Sequence, residues 1–294
     1  MKLLITGATG FVGTNFILKL HRKHAITAFV RKDSDMSKIK DFCTPSCHDE
    51  SSDDLVDFVK RGEFDGVVHL ATYYQPSHSS EDFFKMLNSN VVFGSSLLEA
   101  LSFCPPSFFI NTITFSQFAN ASSYNPAGLY DATKQAFCDI MRFYASKMPT
   151  IFCNLLLYNT YGANDNRPKI FNLWNKIANT QNIVEMSKGE QKIDISHIDD
   201  VIHGFETLID LCKNKQVPTL STFTLENQRH TLRELAQIFE HATSTKLPIA
   251  WGAKPYRHNE IMEPISSSNS TFQKLPHWEP KISLLEGIKQ VYGK

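Results

Sequence analysis

A tyrosine and a lysine four positions apart, Tyr130 and Lys134 in the segment YDATK, form the pattern with the clearest chemical meaning in the sequence. On a helix, side chains at this spacing lie on one face, one turn apart. A lysine cation so placed stabilises tyrosinate and lowers the phenol pKa from its ordinary value of about 10. The pair therefore predicts a general acid or base that exchanges a proton with a substrate oxygen. Because YxxxK is common by chance, its weight depends on the elements around it.

The segment GATGFVG places three glycines between a short apolar run and a stretch of helical period. Gly7 allows a tight turn, Gly10 lets a pyrophosphate approach the backbone, and Gly13 permits close packing of helix on strand. The helix N-terminus then offers free N–H groups to phosphates. The turn predicts dinucleotide binding through Gly7, Thr9, Gly10, Phe11, Val12 and Gly13. In this setting Lys134 is also predicted to hold the nicotinamide ribose, so it joins Tyr130 in both the catalytic and the cofactor-binding sets.

Strand-like and helical patterns alternate from the N-terminus to about residue 157, which is typical of βαβ units in a parallel sheet. The predicted strands cover 2–6, 25–30, 66–71, 107–113 and 152–157, and the predicted helices cover 11–20, 53–59, 82–101 and a segment that begins near 129. The final third has helical patterns at 198–209 and 232–242, and prolines divide its remainder into short pieces.

We expect an α/β fold: a doubly wound Rossmann parallel sheet with a smaller C-terminal substrate-binding lobe. Residues 1–162 and about 193–226 are assigned to the NAD(P)-binding domain. Residues about 163–192 and 227–294 are assigned to the lobe.

The residues that follow the second strand distinguish the two nicotinamide dinucleotides. An acid there holds the ribose 2′-hydroxyl, whereas a base accommodates a 2′-phosphate. Here Arg31 and Lys32 come first and the acid Asp33 follows them. The sequence therefore favours NADP(H), with NAD(H) as the alternative.

Bulk composition excludes several classes of protein. The 294 residues carry 30 basic and 30 acidic side chains, so we expect no nucleic acid or membrane partner reached through bulk charge. No apolar stretch reaches the ~18 residues that a transmembrane helix needs, and the N-terminus does not resemble a signal peptide. The six cysteines form no zinc-ligand pattern, so we expect no metal and reduced thiols. These features predict a cytoplasmic protein.

With both motifs on one chain, the sequence resembles the extended short-chain dehydrogenase/reductase family, specifically its nucleotide-sugar epimerase/dehydratase branch. The resemblance covers nearly the whole length and rests on GATGFVG (7–13), GVVHLAT (66–72), NTIT (111–114), YDATK (130–134), NTYG (159–162), GEQKIDISHIDDV (189–201) and HWEPKISLLEGI (277–288). It implies a nicotinamide dinucleotide as cofactor and a nucleotide-diphosphate sugar as substrate. It also implies a homodimer formed through the helix of Tyr130.

The resemblance assigns roles to further residues. In such enzymes the strand before the catalytic helix ends in a hydroxyl residue that hydrogen-bonds the reacting oxygen, which selects Thr112, with Thr114 as the alternative. Leu70, Ala71 and Thr72 are expected to lie beside the ribose and phosphates of the cofactor, and Asp49 is expected to contact the adenine. Asn90 is expected to brace the active-site strand next to the cofactor. Asn159 is expected to lie near both the nicotinamide and the sugar.

The nucleotide diphosphate needs forked or ammonium donors, and the resemblance implies Arg167, Lys192 and Arg257 for this role. One departure from the family pattern lies in the segment 189–201. Where the family often has an arginine, this chain has Ile193 before Asp194. The diphosphate is therefore expected to depend on Arg257.

The reaction is narrowed by residues that are missing. Related 4,6-dehydratases carry an Asp–Glu pair directly after the helper threonine, whereas this chain has Ile113 and Thr114. No cysteine matches the position of an epimerase acid or base, and Cys138 is expected to be packed core. What remains is hydride chemistry at one sugar carbon, as in NADPH-dependent reduction of a nucleotide-linked 4-keto-(6-deoxy) sugar. The alternatives are an NAD-dependent C4 epimerase and a dinucleotide-binding sensor without turnover.

Overall fold

The protein is described by a computed structural model that covers residues 1–47 and 52–293. The strands are β1 (Lys2–Thr6), β2 (Ala25–Phe29), β3 (Thr44–Ser46), β4 (Gly66–His69), β5 (Phe108–Thr114), β6 (Ile151–Leu157), β7 (Asn159–Tyr161), β8 (Val184–Met186), β9 (Lys192–His197), β10 (Ser221–Thr224), β11 (Arg229–Thr231), β12 (Ile249–Trp251) and β13 (Gln273–Lys274).

The helices are α1 (Phe11–Leu20), α2 (Ser52–Gly62), α3 (Ser80–Leu87), α4 (Phe93–Ser102), α5 (Leu129–Ala145), α6 (Ile170–Ile177), α7 (Ile198–Lys213), α8 (Leu232–Thr243) and α9 (Leu284–Tyr292). A π-helical turn, Asn88–Val92, joins α3 to α4. Within the described residues, no helix has the length and apolar character needed to cross a membrane.

The described residues form a central sheet of eight strands in the order β13-β10-β6-β5-β4-β1-β2-β3. Every pairing in this sheet is parallel. A parallel sheet must be covered on both faces, and helices do this here. On one face α1 meets α7, where the rings of Phe16 and Phe205 stand edge to face with centroids 5.9 Å apart. On the other face α2, α4 and α5 bury a second apolar core that includes Phe109 and Phe137. The predicted doubly wound Rossmann fold is confirmed.

The smaller lobe has an aromatic core of its own, in which Phe171 of α6, Trp174 and Phe239 of α8 pack within 6 Å of one another by ring centroid. Two small sheets, β11-β9-β7 and β12-β8, carry the chain between this lobe and the main sheet. The helix α6 and the short strands of the lobe were not predicted from the sequence.

The domain division differs from the prediction in one segment. Residues 227–294 were all assigned to the lobe, but β13 is the outermost strand of the main sheet. Leu275 and Trp278 pack in the core between the sheet and α7, and Trp278 Nε1 donates to the Asp200 carbonyl at 2.9 Å. Burial of this indole stabilises the return of the chain to the dinucleotide domain.

The register of the central strands places a group of chain segments at one edge of the sheet. Thr6 of β1 pairs with His69 of β4, and His69 pairs with Asn111 of β5. The loops that follow these strands therefore leave the sheet side by side at its carboxyl edge. In open α/β sheets, ligands bind in the crevice outside this edge.

Candidate active site

One cavity of about 1600 Å³ runs from the glycine-rich turn, across the carboxyl edge of the sheet, to the smaller lobe. Its wall contains these predicted site residues: Gly7, Thr9, Gly10, Phe11, Val12, Gly13, Arg31, Leu70, Ala71, Thr72, Thr114, Tyr130, Asn159, Arg167, Lys192 and Arg257. Thr112, Lys134, Asn90 and Lys32 lie outside the wall. Asp49 falls outside the described residues.

The glycine-rich turn has the geometry that pyrophosphate binding requires. Gly7 has φ +66°, and a Cβ on it would lie 2.6 Å from the Ala71 amide nitrogen. A Cβ on Gly13 would lie 2.3 Å from the Gly7 carbonyl oxygen, so helix and strand pack too closely for any side chain. At Gly10 the nearest neighbour would be 3.2 Å away, which leaves that Cα facing the cavity. The N-terminus of α1 has no side-chain cap and no acid in its first turn, so its N–H groups fit a dinucleotide pyrophosphate.

The end of β2 contributes to the same cavity through Arg31 and Ser34. The Arg31 amide donates to Ser34 Oγ at 3.1 Å, which folds the turn so that both residues line the wall. Arg31 is exposed, and its Nε lies 3.8 Å from Asp33 Oδ1. Such an exposed pair is weak. The guanidinium is therefore available to an anion near the end of β2.

Tyr130 lies on the cavity wall in the first turn of α5. Burial raises its pKa to about 12; a hydrogen bond with Thr72 lowers it, and Asp131 and Tyr74 raise it. The sequence led us to expect that Lys134 would lower this pKa, and here the structure corrects the prediction. The Lys134 charge acts on His69 and Cys138 instead, and burial of the phenol dominates. Tyr130 is consequently a protonated acid at neutral pH.

Lys134 lies behind Tyr130, only 2% exposed, and burial lowers its pKa to about 8. Beside it, burial and the Lys134 charge lower the pKa of His69 to about 3, so this imidazole is neutral. Thr6 Oγ1 accepts hydrogen bonds from the Leu70 and Ala71 amides and lies 2.9 Å from His69 Nδ1. Its hydrogen is then donated to Nδ1. Because the His69 ring is neutral, Lys134 is the cation of this pair of neighbouring buried side chains.

Asn90 acts as a brace between the cavity wall and α5. Its Oδ1 accepts from Thr72 Oγ1 at 3.1 Å and from the Tyr73 amide at 2.7 Å. Its Nδ2 donates to the Tyr73 carbonyl at 3.0 Å and to Thr133 Oγ1 at 2.9 Å. The π-helical turn Asn88–Val92 carries the residue, and such turns are frequent at functional sites. These bonds use the Asn90 amide fully, and through them Asn90 holds Thr72 in place.

The two threonines at the end of β5 occupy different environments. The Thr112 hydroxyl donates to the His69 carbonyl at 3.4 Å within the sheet, whereas Thr114 lies on the cavity wall. Thr114 Oγ1 lies 2.9 Å from Ser116 Oγ, and Ser116 donates to the Asp131 carboxylate. β5 continues to Thr114, two residues beyond Thr112. The geometry favours Thr114 over Thr112 as the hydroxyl that meets a reacting oxygen.

Three predicted cations of the lobe line the cavity but differ in their partners. Arg167 forms a two-pronged pair with Asp165 (Nε–Oδ1 2.7 Å, Nη2–Oδ2 2.8 Å) and stacks on the ring of Phe11, 4.2 Å from its centroid. Lys192 pairs with Glu263 at 2.9 Å. Arg257 is exposed at the rim. Asn159 donates to the Asp194 carbonyl at 3.1 Å, which fixes its side chain on the wall.

The sequence did not reveal two wall residues near Tyr130, namely Tyr74, which contacts it, and Lys169, which contacts Tyr74. The ring of Tyr74 stands edge to face with that of Tyr130, with centroids 4.9 Å apart. Lys169 Nζ lies over the Tyr74 ring at 4.8 Å, and burial, followed by the Arg167 charge, lowers its pKa. Lys169 is the N-cap residue of α6, a helix that was missed. The doublet Tyr73–Tyr74 directly after β4 was a signal that went unused.

Neither cysteine-base chemistry nor metal chemistry is indicated by the described side chains. Burial raises the pKa of the Cys138 thiol to about 11, which excludes a thiolate base at neutral pH. Among residues 1–47 and 52–293, no group of three or more His, Cys, Asp or Glu side chains is arranged to hold a metal ion.

A doubly wound sheet with a glycine-rich turn, and a tyrosine–lysine pair on the helix beside it, define an enzyme of the extended short-chain dehydrogenase/reductase type. The model of the NAD dependent epimerase/dehydratase family matches residues 3–220. The chain belongs to this family.

Several known proteins are similar over most of the chain. The CDP-abequose synthase of Yersinia pseudotuberculosis is 27% identical over 274 residues, 90% of this chain and 92% of that protein. The CDP-abequose synthase of Salmonella muenchen is 26% identical and covers 99% of this chain and 96% of its own length. Among solved structures, the UDP-glucose 4-epimerase of Thermotoga maritima with UDP-glucose has a TM-score of 0.83 at 17% identity, with 99% and 97% of the chains covered. The UDP-glucuronic acid 4-epimerase of Bacillus cereus, in complex with UDP-glucuronic acid and NAD, has a TM-score of 0.80 at 18% identity, with 99% and 98% covered.

Proposed function

We propose that this enzyme reduces a nucleotide-linked 4-keto-(6-deoxy) sugar to the 4-hydroxy sugar with NADPH. The observation that carries the proposal is the single cavity that joins three features. The glycine-rich turn, the protonated Tyr130 and the lobe cations Lys192 and Arg257 all line it. A dinucleotide and a nucleotide sugar can thus meet at Tyr130.

The chemistry follows from the state of the cavity groups. When bound, the reduced dinucleotide supplies a hydride and its electron pair to the ketone carbon. Tyr130 gives its proton to the ketone oxygen as charge develops there, and Thr114 shares a hydrogen bond with that oxygen. Lys134, one turn along α5 from Tyr130, is assigned to the nicotinamide ribose. The raised pKa of Tyr130, about 12, supports the role of proton donor.

A nucleotide sugar is the substrate class that the lobe favours. Arg257, Lys192 and Lys169 line the same cavity as Tyr130, and the negative charge of a diphosphate suits them. The relatives that are 26–27% identical are named CDP-abequose synthase, and they cover nearly the full length of this chain. These names support a nucleotide-linked deoxysugar.

NADP(H) is proposed as the cofactor because Arg31 and Ser34 line the cavity at the end of β2. A guanidinium and a hydroxyl there suit a 2′-phosphate better than they suit a free 2′-hydroxyl. Asp33 contacts Arg31 from the exposed side and is not on the wall.

An NAD-dependent C4 epimerase is the second candidate. It is favoured by similar solved structures such as the UDP-glucuronic acid 4-epimerase of Bacillus cereus and the UDP-glucose 4-epimerase of Brucella ovis, both in complex with NAD. The same Tyr130 and Lys134 would serve an epimerase, since both reactions move a hydride at one carbon. The two candidates differ in net cofactor consumption.

A homodimer in the cytoplasm is the assembly and location that we propose for this enzyme. Phe143 on α5 is 57% exposed, which leaves apolar surface on the helix expected at the interface. Sedimentation equilibrium tests the assembly, and a mass of one chain at micromolar concentration contradicts it.

The test of function is nicotinamide oxidation with freshly generated 4-keto-6-deoxy sugar nucleotides carrying different bases, with NADPH and NADH compared. We expect stoichiometric NADPH consumption, and a loss of at least a hundredfold in Tyr130→Phe with unchanged dinucleotide binding. The matched control is Tyr124→Phe, an exposed tyrosine before α5. A changed sugar without cofactor consumption identifies the epimerase instead.

A further inference from the structure

A chain of hydrogen bonds connects the end of β5 with the first turn of α5 on the cavity wall. Thr114 Oγ1 lies 2.9 Å from Ser116 Oγ, and Ser116 Oγ is bonded to Asp131 Oδ1. The other carboxyl oxygen of Asp131 accepts the Gly128 amide at 2.9 Å. Thr114, Ser116 and Asp131 all line the cavity next to Tyr130.

The direction of these bonds is limited by the number of hydrogens. A hydroxyl has one hydrogen to donate, and a carboxylate has none. When Asp131 is ionised, Ser116 must donate to it, so Thr114 must donate to Ser116. The Thr114 hydrogen is then used, and its oxygen can only accept from a ligand. The Ser116 amide, 3.3 Å from Thr114 Oγ1, takes one of the remaining lone pairs.

When Asp131 is protonated, every bond can reverse. The carboxyl donates to Ser116, Ser116 donates to Thr114, and the Thr114 hydrogen is free to point into the cavity. The hydroxyl at the cavity wall is therefore a donor or an acceptor according to one proton on Asp131.

We propose that Asp131 is a positioning residue whose proton sets the polarity of the Thr114 hydroxyl toward the substrate. This inference rests on the proposed ketone reduction. A ketone oxygen has lone pairs alone, so its binding and reduction need the protonated chain, whereas a sugar hydroxyl can donate to the ionised chain. Acid therefore favours the keto substrate and alkali favours the alcohol.

The surroundings of Asp131 shift its carboxyl toward the protonated form. The residue is 4% exposed, and burial raises its pKa against the lowering effect of its hydrogen bonds to Ser116 and Gly128. The titratable groups that face it are Tyr74 from the loop after β4, Tyr124 from the loop before α5, and Tyr130 of α5 itself. The nearest cations contact these neighbours: Arg257 and Lys169 act on Tyr74, and Lys134 lies one turn along α5.

The experiment measures kcat/KM for ketone reduction against pH in the wild type, Asp131→Asn and Ser116→Ala, since this parameter reports the free enzyme. The asparagine amide can accept from Gly128 and donate to Ser116, which fixes the chain in its donating direction. We expect wild-type kcat/KM to fall about tenfold per pH unit above the pKa of Asp131. In Asp131→Asn this fall is absent until Lys134 loses its charge near pH 8. In Ser116→Ala we expect a lower kcat/KM that no longer falls with the ionisation of Asp131. In Ser116→Thr, which keeps a hydroxyl, we expect both the rate and the pH dependence to return.

Infrared titration of the free protein separates this inference from the proposed function. We expect a protonated-carboxyl band from Asp131 that disappears in Asp131→Asn and persists in Asp57→Asn, an exposed carboxyl on α2. The buried Asp194 carboxyl, whose pKa is about 8, adds a separate band in every variant. If the band is present but no keto sugar is reduced, the proposed function fails and the protonated carboxyl stands. If the band is absent, or Asp131→Asn keeps the wild-type pH profile during keto-sugar reduction, the inference is overturned.

Discussion

The side-chain amide of Asn90 donates a hydrogen bond to Thr133 Oγ1 at 2.9 Å and so joins segments 43 residues apart in the chain. Thr133 in turn donates to the Tyr130 carbonyl at 2.7 Å. The same Asn90 holds Thr72, which bonds the Tyr130 phenol. Tyr130 is thus fixed at its backbone and at its hydroxyl by one buried amide.

Replacement of Asn90 by alanine should affect both stability and rate. It leaves the Tyr73 amide and carbonyl without their side-chain partner, which costs about 2–3 kcal/mol of unfolding free energy. Because Tyr130 loses its fixed position, kcat should fall at least tenfold. Urea unfolding and steady-state kinetics measure the two effects, with Asn214→Ala at the exposed end of α7 as control. A wild-type kcat in Asn90→Ala would exclude the bracing role.

Two glycines of the same turn should respond to alanine in different ways. Gly7 has φ +66° and backbone atoms 2.6 Å from a Cβ, so Gly7→Ala should destabilise the fold by several kcal/mol, on the order of 3. At Gly10 a Cβ meets only the Gly7 carbonyl at 3.2 Å, so Gly10→Ala should fold. Its methyl group faces the cavity and should weaken dinucleotide binding at least tenfold. Thermal melts and fluorescence titration with NADPH distinguish the variants, and equal behaviour of the two would contradict the assignment.

Replacement of Lys134 by methionine should raise the stability of the fold and lower the activity. Its pKa is about 8 in the folded protein and about 10.4 in an unfolded chain, so the unfolded state binds more protons between these values. Stability then rises with pH across this window, because the buried charge is costly below pH 8. Lys134→Met should gain on the order of 3 kcal/mol at pH 7, and the gain should shrink toward pH 10.

Activity of Lys134→Met should fall at least a hundredfold, and wild-type activity should decline above pH 8 as the cation is lost. Urea unfolding at pH 7 and pH 9.5 gives the stability change, and Lys40→Met, at an exposed lysine, is the control. If Lys134→Met were less stable than the wild type at pH 7, the Lys134 charge would make a net favourable contribution to the free energy of unfolding, which contradicts this prediction.

Lys169 should contribute to binding of the nucleotide sugar and not to binding of the dinucleotide. It faces the Tyr74 ring at 4.8 Å, and Asp165, the nearby carboxylate, is paired with Arg167. We expect Lys169→Met to raise KM for the nucleotide sugar about tenfold, or about 1.4 kcal/mol, with unchanged Kd for NADPH. Lys176→Met, exposed on the same helix, should change neither constant. An equal loss of affinity for both ligands would place Lys169 at the wrong end of the cavity.

The local patterns of the first half were sufficient to predict most of its elements. The glycine turn, the helix α1 and the strands β1, β2, β4, β5 and β6 were expected, and each lies within a few residues of its observed position. The short strand β3 was not predicted. These features depend on side chains close in sequence, through periodicity and turn chemistry. The short strands β7 to β13 and the helix α6 have only weak hydrophobic periodicity in the sequence. Their positions depend on contacts between segments that are distant in the chain.

The sequence by itself determined which residues could carry the chemistry: Tyr130, Lys134 and the glycines of the turn. It did not determine their surroundings. Burial raised the Tyr130 pKa where a neighbouring charge was expected to lower it, because desolvation depends on everything packed around the ring. The choice of Thr114 over Thr112, the brace at Asn90 and the chain to Asp131 depend on register and loop paths. Hydrogen bonds act over about 3 Å between segments far apart in sequence, so only the tertiary structure fixes them.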